Sequence, residues 1–258
     1  MGIWDLFRKK RTIQKKPAAP ICSASRDEEI RRLQLSLQSP YIEEREKALD
    51  NLRTLSIQCS RPVTPTEESS LRIERMVLVL DRSESMGSTD YAPSRLTAAT
   101  DAAREMVNIR AERDPRDEMG VVWFNEKAEI LARLVCLRDG KGHLMKVLRK
   151  LTPDDGTDIE AGLRRARELL HRKRSGVQDR IVLLTDGHSE WPILTANVLK
   201  AEGVVIDVIG IGGSPAEVNE ELLRQVASTI DGEVRYRFIT NRAELLEHFR
   251  RLADKLVK

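Results

Sequence analysis

Side-chain oxygens are concentrated in three short segments of the sequence, at residues 81–85, 154–158 and 186–187. Carboxylate and hydroxyl oxygens are the hard donors that Mg²⁺, Mn²⁺ and Ca²⁺ prefer, whereas zinc favours sulfur and imidazole. The segments therefore predict a site for Mg²⁺, or for Mn²⁺ or Ca²⁺ in its place. The five side chains that would hold the ion are Asp81, Ser83, Ser85, Thr157 and Asp186.

Such a site would not surround its ion completely. Mg²⁺ takes about six oxygen ligands and usually keeps some of its water. Two carboxylates and three hydroxyls leave part of that shell open. An acidic side chain of a partner protein could complete it.

Two apolar runs lead directly into these segments. Met76–Leu80 ends at Asp81, and Ile181–Leu184 ends at Thr185 and Asp186. Continuous apolar runs of this length are typical of strands that are buried on both faces of a parallel sheet. Ligands of such sheets bind beyond the carboxyl ends of the central strands. We therefore expect the three oxygen-rich segments to meet at one edge of a sheet.

Strands alternate with helical patterns from about Arg72 onward. This alternation predicts an α/β fold with a Rossmann-like, mostly parallel sheet of six strands, one antiparallel edge strand and helices on both faces. A hairpin is predicted from Met119–Phe124 and Ala128–Val135, with further strands at Val204–Ile209 and Val234–Ile239. Apolar residues at helical spacing predict helices around Leu96–Met106, Ile159–Leu170, Trp191–Ala201, Val218–Ile230 and Leu245–Leu256.

The ordered motifs Asp81-x-Ser83-x-Ser85, Gly156-Thr157-Asp158 and Thr185-Asp186-Gly187 resemble the von Willebrand factor A domain and its metal-ion-dependent adhesion site. Ser, Asp and Thr are also common in turns and caps, but three motifs in order at predicted strand ends are more specific than one. The resemblance covers roughly residues 72–258 and assigns the five oxygen donors named above to the metal. It implies metal-dependent binding of a partner Asp or Glu by an intracellular, prokaryote-like member. Such members often act as adaptors or as companions of AAA-type ATPases.

Composition and charge argue against several other classes of protein. Of the 258 residues, 40% are apolar, and no apolar run approaches the roughly 20 residues that span a bilayer. The net charge is +3, but the first sixteen residues carry +5, so the rest of the chain is slightly acidic and no nucleic-acid partner is predicted. Three cysteines without a C-x-x-C pair suit a reducing, cytoplasmic compartment. Cys136, at a strand end, is expected to be a small buried apolar residue.

Four regions are predicted along the chain. Residues 1–25 form a basic tail and linker, 26–60 a small helical hairpin, 61–71 a second linker and 72–258 the α/β domain. Ile3, Trp4, Leu6 and Phe7 precede a basic run, which permits peripheral contact of residues 1–16 with an anionic membrane at its cytoplasmic face. A frayed, solvated terminus is the other interpretation of these residues. The hairpin is expected to dock on the main domain or on a partner.

A second class of function would use the same site. A Mg²⁺-dependent phosphatase or other hydrolase would use the ion to activate water and would need a positioned general acid or base. Two residues after Asp81 stands Ser83, which cannot serve as the general acid of haloacid-dehalogenase-type phosphatases. The nearby acid–base candidates, Glu84, Asp158 and His188, have no recognised catalytic spacing. The chain is therefore predicted to be a binding module and not an enzyme.

Overall fold

The structure is a computed structural model that describes residues 32–33, 36, 44, 47–52, 73–171, 174–187 and 192–254, without the side chain of Lys150. The predictions for the basic tail, for the second linker and for His188 lie outside the described residues. The described residues of the predicted hairpin are all helical. The four domain boundaries stay predictions.

The centre of the molecule is a six-stranded sheet. Its strands are β1 (Ile73–Asp81), β2 (Glu118–Phe124), β3 (Ala128–Cys136), β4 (Val177–Thr185), β5 (Val205–Ile211) and β8 (Tyr236–Ile239). A separate antiparallel pair consists of β6 (Thr229–Ile230) and β7 (Glu233–Val234). The order in the large sheet is β3-β2-β1-β4-β5-β8. All neighbours are parallel except β2 and β3, so the predicted sheet with its single antiparallel edge strand is confirmed.

The chain reverses its direction of strand addition between β1 and β4. These strands are parallel neighbours, and Leu80 is level with Leu184, so Asp81 and Thr185 follow at the same edge. Ligands of open α/β sheets bind at such a switch point, outside the carboxyl ends of the strands. The sheet therefore brings the first and third oxygen-rich segments together, as the sequence predicts.

Helices cover both faces of the sheet, as predicted. Leu78 and Leu80 of β1 belong to the core beneath one helical layer, and Val77 and Val79 belong to the core beneath the other. None of the helices in the described part of the chain has the length and apolarity needed to cross a bilayer. The first layer is α1 (Arg95–Arg113), α2 (Leu137–Val147) and α6 (Arg242–Asp254), and the second is α3 (Ile159–Leu170), α4 (Ile193–Ala201) and α5 (Glu220–Val226). Short 3₁₀ turns lie at Glu84–Gly87, Leu148–Lys150 and Pro215–Glu217.

Three local features differ from the sequence predictions. The helix expected over Val218–Ile230 is confined to α5, because the backbone becomes extended at Ala227 and then enters the β6–β7 hairpin, where Asp231 and Gly232 adopt positive φ at the turn. Helix α2 was not predicted, since its two glycines have low helix propensity. Cys136 is only partly buried, and its thiol donates a hydrogen bond to the Pro115 carbonyl, so the expectation of a small buried apolar residue is wrong.

Part of the amino-terminal helical region packs on the outside of α4. The Leu52 side chain is completely buried against Val198 and Ala201. Leu33 and Leu194 lie at the margin of the same small cluster. These contacts hold the described residues of the predicted hairpin on the main domain.

A buried ionic network closes the end of the sheet opposite the oxygen-rich segments. Arg110 of α1 binds Glu74 and Asp117, and Arg180 of β4 binds Asp207 with a 2.7 Å contact. Arg180 and Arg110 also donate hydrogen bonds to the Leu252 and Ala253 carbonyls near the end of α6. Buried charges are tolerated when they are paired and hydrogen-bonded. The network therefore connects β1, β4 and β5 to the first and last helices of the domain.

The half-buried His248 of α6 is expected to make the stability of the domain depend on pH. Burial, together with nearby Arg237, lowers the pKa of His248 to about 4. In the unfolded chain this imidazole titrates near 6.5, so the unfolded state binds the additional proton between these values. We expect the free energy of unfolding to fall by roughly 1 kcal/mol or more as the pH decreases from 6.5 towards 4.

Chemical denaturation of the parent protein and of His248→Gln at pH 7 and pH 5 measures this effect. The variant should lose less stability than the parent between the two pH values, whereas His143→Gln, at an exposed position, should behave like the parent. Equal pH dependence of the parent protein and His248→Gln would show that His248 does not stay neutral in the fold.

Candidate metal site

Asp81 lies at the last position of β1 and is completely buried. The Ser83 backbone N–H donates to its Oδ1 at 2.8 Å, and the Thr185 hydroxyl donates to its Oδ2 at 2.6 Å. The Gly187 N–H in turn donates to the Thr185 oxygen at 3.0 Å. The first two hydrogen bonds orient the carboxylate and the third orients the Thr185 hydroxyl, so Asp81 is held between the ends of β1 and β4.

The two serines of the first motif stand on the turn that leaves β1. Ser83 is buried and Ser85 is exposed, and their hydroxyl oxygens are 3.1 Å apart. The Met86 N–H donates to the Ser83 carbonyl and closes the 3₁₀ turn that places both hydroxyls on one side. The motif therefore presents two neighbouring hydroxyls, one of them accessible from solvent.

Asp186 follows β4 and is also buried. Its Oδ2 lies 3.4 Å from the Arg95 guanidinium. Arg95 makes shorter contacts with Asp90, at 2.6 Å, and with Glu217, at 2.7 Å, and it holds the pKa values of both carboxyls below their usual range. One guanidinium thus serves three carboxylates, and Asp186 has the longest of the three contacts.

The carboxylates of Asp81 and Asp186 are therefore close to each other, and the Arg95 guanidinium, which is shared with two other carboxylates, does not fully compensate their charge. Burial, followed by the negative charge of Asp186, raises the pKa of Asp81 to about 7. A divalent cation beside the two groups would remove this penalty, since an opposite charge favours the ionised carboxylate. The donors are oxygens only, which suits Mg²⁺, Mn²⁺ or Ca²⁺. The residues present therefore fit the predicted ion.

The loop that carries Thr157 lies beside the first motif. The Asp154 N–H donates to the Arg82 carbonyl at 2.8 Å, and the Asp158 N–H donates to the Asn125 carbonyl at 2.6 Å. Between these anchors Gly156 has a φ of +80°, and a Cβ there would lie 1.9 Å from the Glu126 side chain. Thr157 follows in a half-buried position. The structure thus places the second oxygen-rich segment, residues 154–158, beside the first.

Three contributors to this region were not singled out as site residues from the sequence. Thr185 was recognised only as part of a motif, although its hydroxyl binds Asp81 directly. Arg95 and Glu217 come from segments 122 residues apart, and no local pattern connects them. Among the described residues, no three His, Cys, Asp or Glu side chains are grouped as metal ligands.

Comparison with known proteins defines the class. Residues 76–188 match the von Willebrand factor type A domain family. The von Willebrand factor A domain of SpRpn10 aligns over 72% of this chain and 100% of its own, with a TM-score of 0.57 and 22% identity. The mussel byssus proximal thread matrix protein 1, in a structure with a zinc-occupied MIDAS motif, aligns over 71% of this chain and 48% of its own, with a TM-score of 0.58 and 23% identity.

The chain therefore contains a von Willebrand factor A domain, as the ordered motifs predict. Its relatives include an uncharacterised protein of Synechocystis, which is 29% identical over 189 residues, or 70% of this chain and 41% of the relative. A UPF0353 protein of Mycolicibacterium paratuberculosis is 27% identical over 66% of this chain and 57% of its own. The chain spans about half the length of these two curated relatives.

The buried Asp81 carboxylate should make the metal-free domain less stable than it would be with a neutral side chain. Because its pKa is raised in the folded state, stability is lost as the pH rises from about 4 through about 7. Asp81→Asn keeps the size of the side chain and removes the charge. In EDTA at pH 8, the variant should therefore fold and melt at least as high as the parent, and Mg²⁺ should raise the melting temperature of the parent only.

Thermal unfolding followed by circular dichroism tests both parts. Asp155→Asn is the matched control, since Asp155 is exposed in the adjacent loop and lies outside the proposed ligand set. Loss of the folded signal of the parent in EDTA would show that the ion is required for folding. An equal Mg²⁺ shift in Asp81→Asn and in the parent would exclude Asp81 as a ligand.

Proposed function

We propose that this protein is a metal-dependent protein-binding module. A divalent cation would be held by Asp81, Ser83, Ser85, Thr157 and Asp186, and a partner Asp or Glu would complete its ligand shell. The observation that carries the proposal is the meeting of two buried carboxylates at the switch point of the sheet, where the charge of Asp186 helps to raise the pKa of Asp81.

The distribution of donors supports a ligand from outside the chain. Asp81, Ser83 and Asp186 are buried behind the site, whereas Ser85 is exposed. An ion held from the protein side would keep positions on its outer face for water or for an incoming oxygen. A carboxylate of a partner is a strong candidate for that place, because it supplies both an oxygen and a compensating charge.

Mg²⁺ is the ion that we propose first, with Mn²⁺ and Ca²⁺ as substitutes. The site offers oxygen donors without sulfur or imidazole, which is the preference of these hard cations. The mussel protein named above holds zinc in its MIDAS motif. Zinc is a weaker candidate here, since carboxylate and hydroxyl ligands alone do not favour it over Mg²⁺.

A hydrolase is less well supported than a binding module. The Asp158 carboxylate accepts a hydrogen bond from the Ala161 N–H at 3.0 Å and caps α3, so it serves the helix. Glu84 is exposed on the turn after β1. Because Asp158 already caps a helix and no recognised catalytic spacing surrounds Glu84, we favour binding without turnover.

The cellular setting remains a matter of proposal. We place the protein in the cytoplasm as an adaptor, with an AAA-type ATPase among its candidate partners and with residues 1–16 available for an anionic membrane surface. These assignments rest on the composition and on the family resemblance. Since the chain spans only part of its curated relatives, their wider activities are not transferred to it.

Isothermal titration should detect one Mg²⁺ site in the parent protein. Asp186→Asn should weaken the affinity on the order of 100-fold or more, because the charge of the ligands sets divalent-cation affinity. Thr157→Ala should weaken it by about 3- to 10-fold, since a water can replace a neutral oxygen. Asp155→Asn should titrate like the parent. Parent-like affinity in Asp186→Asn would rule out the proposed ligand set.

Partner binding is tested with an immobilised protein and a peptide library. Peptides retained in Mg²⁺ and released by EDTA should contain Asp or Glu at one required position, and replacement of that residue by Asn or Gln should abolish retention. Asp81→Asn should retain none of them. Retention that is indifferent to EDTA or to this replacement would contradict metal-mediated capture of a carboxylate.

The rival function has a direct assay. With Mg²⁺ and a generic phosphate ester such as p-nitrophenyl phosphate, the protein should show no turnover above that of Asp81→Asn. Turnover by the parent that disappears in Asp81→Asn would establish the hydrolase instead.

A further inference from the structure

Arg82 occupies the variable position between Asp81 and Ser83 of the first motif, and its side chain contacts the loop of the second motif. The guanidinium forms an ion pair with Asp154 and donates a hydrogen bond to the Thr152 carbonyl at 3.3 Å. The Arg82 carbonyl accepts the Asp154 N–H on the same side. Backbone and side chain of one residue therefore bind the loop that leads to Thr157.

The Trp123 ring of β2 stacks against the Arg82 guanidinium. The Arg82 Cζ atom lies 3.6 Å from the centre of the Trp123 ring, which is a stacked cation–π arrangement. The Arg82 backbone N–H also donates to the Phe124 carbonyl at 2.9 Å. Arg82 therefore contacts both the end of β2 and the loop that carries Thr157.

The position of the ion pair distinguishes it from an ordinary surface contact. Only 16% of the Arg82 side chain is exposed, compared with 54% of that of Asp154. The Arg82 Nε is buried and makes no hydrogen bond among the described residues. Since the indole covers one face of the guanidinium, the orientation of its remaining N–H groups towards residues 152–154 is fixed.

Thr157 lies between two anchors of its loop. On one side is Asp154, held by Arg82, and on the other is Asp158, whose N–H binds the Asn125 carbonyl. The intervening Gly156 adopts a positive φ, and a Cβ there would lie 1.9 Å from the Glu126 side chain, so the backbone of this span lies close to Glu126. Loss of the Arg82 anchor would release one end of this short span.

We infer that Arg82 is a positioning residue, which holds the Thr157 hydroxyl at the distance from the first motif that the ion requires. The inference rests on the proposed function and adds to it a residue at a position that the first motif leaves variable. Arg82 does not touch the ion in this scheme. It acts through Asp154 and the backbone of the loop, with Trp123 as its support.

A double-mutant cycle of Mg²⁺ affinity between Arg82 and Thr157 tests the inference. Arg82→Ala should weaken Mg²⁺ binding by about 3- to 10-fold, and by no more than Thr157→Ala does, because Arg82 acts only through the hydroxyl that it positions. In a Thr157→Ala background, the same substitution should cause little further loss, because the hydroxyl that Arg82 positions is already absent. Arg82→Lys should restore only part of the affinity. The lysine ammonium is not planar, so it cannot stack on the Trp123 ring and bind Asp154 at the same time as a guanidinium does.

The controls separate positioning from general damage. Melting temperatures in EDTA should show additive effects of Arg82→Ala and Thr157→Ala, whereas the Mg²⁺ affinities should not. Arg116→Ala removes an exposed ion pair with Asp114 and should leave Mg²⁺ affinity unchanged. If Arg82→Ala fails to fold, Asp154→Asn cuts the same link from its exposed side and should show the same coupling to Thr157.

The outcomes distinguish this inference from the proposed function. A parent protein that binds no Mg²⁺ would overturn both. Mg²⁺ binding by the parent, with unchanged affinity in Arg82→Ala or Asp154→Asn, would overturn the role of Arg82 alone. Losses of affinity that multiply in the double variant would also overturn it, because Arg82 would then act independently of Thr157.

Discussion

The hydrogen bond between the Thr185 hydroxyl and the Asp81 carboxylate joins the ends of the two central strands. It can form only because β1 and β4 are parallel neighbours in a register that brings both ends to the same level. That register follows from apolar strands that are buried on both faces, where a slip would disrupt two cores at once. The geometry of the site is therefore a consequence of the way in which the sheet is packed.

The same arrangement concentrates negative charge where the fold can least easily solvate it. Asp81 and Asp186 are buried at the sheet edge, and Arg95 divides its single charge between Asp186 and two other carboxylates. Functional sites are often places where local stability is given up for a ligand. The large apolar cores on both faces of the sheet make that loss tolerable, since they lie away from the charged edge.

The sequence allowed a correct prediction of the elements whose patterns are local. Strands such as Met76–Leu80 are recognisable from continuous apolar runs. Helices such as Ile159–Leu170 are recognisable from apolar residues at helical spacing. Helix α2 was not predicted, because Gly140 has a low helix propensity. In the fold, the absence of a side chain at Gly140 lets the helix approach Val135 closely. The tertiary contact outweighs the local preference, and only the folded chain reveals it.

The candidate site likewise contains residues that could be predicted from the sequence and residues that could not. The five proposed ligands lie in short motifs, and the sheet topology brings those motifs to one edge. The contacts made by Arg95 and by the Arg82 side chain depend on which loops lie opposite each other after folding, with partners 122 and 72 residues away in the sequence. No periodicity records such pairings, so the residues that support the ligands could not be identified from the sequence.

The ionic network at the far end of the sheet bears on how the domain is made during translation. Arg110 and Arg180 emerge from the ribosome well before the α6 carbonyls that they bind, with sequence separations of 143 and 72 residues. Until α6 arrives, these guanidinium groups lack part of their hydrogen bonding, and burying them is unfavourable. We therefore expect this end of the domain to close only when its last helix is available, with α6 packing as a late step of folding.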